Sequence, residues 1–500
     1  MGFFHPSRLA INRLGVSISV LLYDEVFVNA SELCTLSATE VVALIRKKQV
    51  LPSEVSRAVL DRIQAVNPQL NAYCTIETET AMATAGQLDE AVQRGDVLGP
   101  LCGVPISIKD ILYVRDSRTT FGSRLFTDHV TREDAPSIER LRKAGAIFVG
   151  RTNTPEFGFK GVTDNRLFGA TRNPWNPSLT SGGSSGGAAV AVATGMGPVG
   201  IGTDGGGSIR IPASFCGLVG LKASFGRIPN YPATAVDSLR HTGPLTRTVA
   251  DAALLLEVMA GVDERDPFSL GGAVSDYPSL IERGIAGWRI GFSADLGFAD
   301  VDPEVARICA AACQSLVVAG AQVEEVDLNW QDPYDCWNAF FYGGIGGLLG
   351  RRLQSEGDLL DPGLRKIVMQ GSKLRAEDFV DAQFQRNAFW HQTHPFFRDV
   401  RLLVTPALAV PPFPIGQDDA DPAGQSSRPL GWTPFTYPFN LTGHPAVSVP
   451  CGFTQAGLPV GLQIVGARFD DLGVLCAARA LEQIQPWADR WPPDVTAVQK

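Results

Sequence analysis

Gly103-Val104-Pro105-Ile106-Ser107-Ile108-Lys109-Asp110 reads as a short, mostly apolar strand that runs straight into two charges. An amphipathic helix over residues 135–144 and a second short strand over 146–149 follow it. Apolar runs at 289–292, 402–404, 446–449 and 461–465 continue the rhythm. Short buried strands interleaved with amphipathic helices define an α/β layered fold, with strands covered on both faces. Upstream, Ser37-Ala38-Thr39-Glu40 has the pattern of a capping box ahead of Val41, Leu44 and Ile45. Pro52-Ser53-Glu54 restarts a helix carrying Val55, Val59, Leu60 and Ile63.

No linker divides the chain. The Pro/Gly/Asp-rich stretch at 411–429 is the best loop candidate, yet strand-like sequence continues beyond it. We therefore expect one large domain over 35–490. Residues 330–400, rich in Trp330, Tyr334, Trp337, Phe340, Phe341 and Tyr342, would form a helical insertion shaping the substrate pocket. Residues 1–34 form an N-terminal extension. Within it Arg8 and Arg13 precede an apolar run at 14–22, the outline of a signal peptide. Val28-Asn29-Ala30 is a poor cleavage site, so a cytoplasmic protein is expected.

The chain has 500 residues, 45% of them hydrophobic and 19% charged, and a net charge of −9, which suits a soluble globular protein and argues against nucleic acid or anionic membranes as partners. Its nine cysteines include no Cys-x-x-Cys and read as reduced buried thiols. The six histidines include no His-Glu-x-x-His, and His391-x-x-His394 lacks a thiol or carboxylate at ligand spacing. We expect no metal and no cofactor.

Two serines sit in glycine nests. Ser184 lies in Ser181-Gly182-Gly183-Ser184-Ser185-Gly186-Gly187. Ser208 lies in Gly202-Thr203-Asp204-Gly205-Gly206-Gly207-Ser208-Ile209-Arg210. Glycines before a serine allow tight turns that expose the hydroxyl and aim several N–H groups at one point. An acyl-transfer nucleophile with an oxyanion hole needs that arrangement. Gly-x-Ser-x-Gly also matches an α/β-hydrolase elbow, which requires a strand before the serine and a histidine after it. Residues 174–181 are loop-like, although His241, His391, His394 and His444 lie downstream. Two Gly-x-Gly-x-x-Gly matches, at 195–200 and 200–205, follow a helix of small residues where a dinucleotide fold needs a strand. A serine without an evident histidine remains. Lys109 can be its base if burial keeps the amine neutral.

These segments together resemble the amidase signature family over roughly residues 35–485. Residues 103–110 look like its lysine motif, and 182–187 with 202–222 like its serine-rich signature. His241-Thr242-Gly243-Pro244-Leu245-Thr246-Arg247 and the block starting Asn440-Leu441-Thr442-Gly443 match later segments. The resemblance implies a mixed central β-sheet with helices on both faces. It makes Ser208 the nucleophile, Lys109 the base and Ser184, after a cis peptide, the relay. It gives the oxyanion hole to the N–H groups of Gly205, Gly206, Gly207 and Ser208. Ser185 would support the lysine, with Asp204 and Arg210 bracing the nucleophile turn. Ser181 stands where proline is common in the family, and Gly205 where a branched residue is.

The expected activity is hydrolysis of an aryl or alkyl amide, a carbamate or an ester through a Ser208 acyl-enzyme. The rival within the family is a glutaminase subunit of an amidotransferase. Those subunits resemble this chain but carry an aspartate where Thr433 stands here, to hold the glutamine ammonium. A silent binding or scaffold protein is the rival from another class, and intact Lys109, Ser184 and Ser208 speak against it. Oligomeric state stays open, with a homodimer as the candidate.

Overall fold

The computed structural model describes residues 29–272, 274–420 and 428–493. Eleven strands make one sheet. They are β1 (Tyr73–Ile76), β2 (Pro105–Lys109), β3 (Ile147–Thr152), β4 (Val199–Asp204), β5 (Val219–Lys222), β6 (His241–Thr246), β7 (Arg289–Phe292), β8 (Gln322–Glu325), β9 (Leu402–Pro406), β10 (Ala446–Phe453) and β11 (Pro459–Gly466). Their spatial order is β1-β3-β2-β4-β6-β5-β10-β11-β9-β7-β8. β2 runs parallel to both β3 and β4, and β7 parallel to β8 and β9; the other pairs are antiparallel. The sheet is mixed, and helices lie against it, as expected.

Every residue of β2, β3, β4 and β6 is buried. The expected elements appear within a few residues of their sequence-derived limits. Ser37 caps the helix Ala38–Arg46 in a capping box with Glu40, and Pro52 starts the helix Pro52–Leu70. The helix Gly186–Ala193 is buried along its whole length and passes beneath β4. Of the N-terminal extension only residues 29–34 are described; Asn29 caps the short helix Ala30–Leu33, whose Leu33 is buried. The signal-like run at 14–22 lies outside the described residues. Residues 330–400 fold as helices, with Tyr334–Leu349 packed on Pro362–Gly371 and Ala376–Thr393. No described helix is long and apolar enough to cross a membrane.

Glycine lets the central strands pack this closely. A Cβ on Gly202 of β4 would stand 2.7 Å from Ser185 Oγ, and one on Gly243 of β6 would stand 2.2 Å from the Leu221 carbonyl oxygen. The second obstacle is backbone and cannot rotate away. Gly243→Ala is expected to lower stability by about 1–3 kcal/mol through overpacking, read as a lower thermal midpoint. An unchanged midpoint would mean that β5 and β6 can separate without cost.

Candidate active site

The parallel pair β2 and β4 ends on one edge of the sheet, where open α/β sheets place their ligands. Lys109 is the last residue of β2, and the glycine turn carrying Ser208 leaves β4 directly. The turn carrying Ser184 comes immediately before the helix that passes beneath β4. Chain topology thus delivers all three expected residues to one edge.

Lys109 is fully buried. Its Nζ donates to Ser184 Oγ at 2.7 Å and to Thr203 Oγ1 at 2.9 Å. Neither partner is a carboxylate. Burial pushes the ammonium well below its ordinary range; Asp204 opposes this shift and Arg240 adds to it. The Gly183–Ser184 peptide is cis. Ser185 N donates to Ser208 O at 3.2 Å, tying the Ser184 turn to the Ser208 backbone. Ser208 is 9% exposed, and its hydroxyl has no hydrogen-bond partner among the described residues.

Asp204 and Arg210 brace the turn that carries Ser208. The Asp204 carboxylate accepts from Gly207 N (2.7 Å), Ile209 N (3.2 Å), Arg210 Nε (3.0 Å), Arg210 Nη2 (2.9 Å) and Asn440 Nδ2 (2.9 Å). The guanidinium also donates to Thr436 O, Gln463 Oε1 and Asn440 Oδ1 at 2.7–3.0 Å. Burial alone would raise the Asp204 pKa, but Arg210 and these donors hold it below the usual carboxylate range.

Two expectations need correction. The Gly207 N–H already serves Asp204, so it does not face a substrate oxyanion, and the donors left on the turn are those of Gly205, Gly206 and Ser208. Ser185 does not reach the lysine. Its hydroxyl donates to Thr203 O at 3.2 Å and accepts from Thr203 N at 3.3 Å, so it fixes the residue that does. Thr203 is visible in the motif, but nothing in the sequence gives it this part.

The carbonyls of the turn are fixed by residues more than a hundred positions away. Trp337 Nε1 donates to Gly205 O at 2.9 Å, and Thr436 Oγ1 to Gly206 O at 2.6 Å. Phe341 occupies the room that a branched residue at 205 would need, since a Cβ there would stand 3.0 Å from its ring. The aromatic richness of 330–342 is the only sequence signal for this wall.

No histidine bonds Ser184 or Ser208 among the described residues. His241 donates through Nδ1 to Leu239 O at 2.9 Å, and burial keeps its ring neutral. His444 is stacked on Trp390, and burial lowers its pKa to about 3. His391 and His394 meet edge to face, with ring centroids 5.7 Å apart. A Ser-His-acid triad has no geometry here.

The Amidase family model matches residues 54–475. An acylamidase of Rhodococcus erythropolis is 39% identical over 477 residues, covering 93% of this chain and 98% of its own. A glutamyl-tRNA(Gln) amidotransferase subunit of Moorella thermoacetica is 36% identical, covering 92% and 99%. A bacterial aryl acylamidase of the amidase signature family superposes with a TM-score of 0.86 at 33% identity, covering 92% and 98%. The chain belongs to the amidase signature family. It is a serine amidohydrolase acting on amides.

Proposed function

We propose that the enzyme hydrolyses a weakly polar amide through an acyl-enzyme on Ser208. The carrying observation is a buried lysine without a carboxylate partner, 2.7 Å from a serine hydroxyl. In the neutral amine the nitrogen lone pair can accept the Ser184 hydroxyl hydrogen. Ser184 then takes the proton of Ser208 as its Oγ attacks the amide carbon. The N–H groups of Gly205, Gly206 and Ser208 receive the oxyanion. The same proton returns through Ser184 to the departing nitrogen, which leaves poorly as an anion and needs it. A water molecule repeats the cycle on the ester.

Amides, carbamates and esters all present a carbonyl to this machinery, and the Rhodococcus relative and the aryl acylamidase favour acylated amines. A panel of anilides, primary amides, carbamates and esters tests the reading, with fluorophosphonate labelling mapped to Ser208. No turnover of any panel member and no label would overturn it.

The likeness to amidotransferase subunits keeps a glutaminase as the second reading. Thr433, where those subunits carry an aspartate, is buried, and its hydroxyl donates to Leu430 O at 2.8 Å. No anion stands at that position to meet an ammonium. Glutaminase activity dependent on a partner subunit would reverse the choice.

A further inference from the structure

We propose that the partly exposed ring cluster beside Ser184 seats the amine half of the substrate, and that this half is aromatic. The inference rests on the acyl-transfer reading of the site and adds to it which side holds which half. In that chemistry the leaving nitrogen must lie near Ser184, because the proton reaches it from there. The amine substituent therefore extends past Ser184, and the oxyanion turn with Trp337 and Phe341 borders the carbonyl.

On the Ser184 side the chain places Phe121, Phe126, Phe157, Tyr113 and His129, all half-buried. A Cβ on Gly158, next to Phe157, would stand 3.1 Å from Ser184 Oγ. The Phe121 and Phe157 rings stack with centroids 6.1 Å apart, and Phe126 meets both edge-on at 5.2 and 5.9 Å. Tyr113 and His129 complete the group at 6.2 and 5.9 Å from Phe121.

Phe121 and Phe157 both hold left-handed backbone, with φ of 56° and 52°. A bulky residue there is strained and persists only where its surroundings impose it. Two buried carboxylates supply that constraint. Asp110, adjacent to Lys109, accepts from Thr120 N and the Thr120 hydroxyl, and its carbonyl accepts from Phe121 N at 3.0 Å. Glu156 accepts from the Ser123 hydroxyl and from Asp361 N at 2.6 Å. Phe157 N then donates to Phe121 O at 2.8 Å, locking the two loops together. The rings stand on strained, anchored backbone and stay half-buried, so part of their surface is left for contact with another ring.

The test compares 4-nitroacetanilide with acetamide, which share an acyl group and differ in the amine. Phe121→Ala is expected to lower kcat/KM for the anilide by at least roughly tenfold and for acetamide by less than about threefold. Phe121→Leu, which keeps most of the apolar volume and removes the ring, guards against a folding defect and should show the same asymmetry. Equal losses on both substrates, or a wild type that hydrolyses acetamide and not the anilide, would overturn the inference while leaving the hydrolase intact. A wild type that turns over neither substrate and takes no label at Ser208 would instead sink the acyl-transfer reading.

Discussion

Ser208→Ala and Lys109→Ala are each expected to lower kcat on the best amide by roughly 10⁴- to 10⁶-fold, and the double variant by no more than the larger single loss. In the proposed mechanism Ser208, Ser184 and Lys109 act as one unit, so removing any of them stops the same step. The pH profiles separate the roles. Burial depresses the Lys109 pKa, so wild-type kcat/KM should rise as pH climbs through that lowered value and the amine becomes neutral. The residual activity of Lys109→Ala should lack this limb. Full retention of activity near neutral pH in that variant would remove lysine from the mechanism.

The same shift links stability to pH. In the folded state the amine gives up its proton below its ordinary value, whereas in the unfolded chain it holds it to about pH 10.4. Between the two values the unfolded state binds more protons, so stability rises with pH. Wild type should therefore gain thermal midpoint relative to Lys109→Met as pH is raised towards 10. A constant difference would mean that the folded lysine titrates like a free one.

Strands rich in branched residues were legible: residues 104–108, 146–149 and 461–465 matched β2, β3 and β11 closely. β1 and β8 were missed, and so were β4, β5 and β6, although the turn carrying Ser208 leaves β4. Their glycines at 200, 202, 220 and 243 look like loop residues in isolation. Each is there because a helix or a neighbouring strand comes within contact distance of where a side chain would start. Lys109, Ser184 and Ser208 were legible as candidates because local glycine patterns and a recurrent motif order mark them. Thr203, Trp337 and Thr436 were not, since each acts through one hydrogen bond whose partner only the fold supplies. Gly207 shows the opposite failure. Its motif position suggests an oxyanion donor, but Asp204, three residues earlier, already holds its N–H.

Arg210→Ala is expected to cost about 3–5 kcal/mol of stability, because it leaves the Asp204 carboxylate fully buried without its cation. Thr436 O, Gln463 Oε1 and Asn440 Oδ1 lose their donor in the same step, so the residues packed over the Ser208 turn loosen as well. Activity should fall with stability, since Asp204 also orients the Gly207 and Ile209 peptides on either side of Ser208. Acid behaviour identifies the cause. In wild type the Asp204 pKa is held below its ordinary value, so its stabilisation is present above the unfolded pKa, near 3.9, and is lost only as pH falls through the lower folded value. In Arg210→Ala burial dominates and raises the carboxyl pKa above the unfolded one. The folded variant then binds the proton first, so it should recover part of its lost stability as pH falls through that raised value. Wild type should show no such gain over the same range. A gap between the two that stays constant from neutral pH down to about 4 would show that Asn440 and the backbone donors hold the charge without the guanidinium.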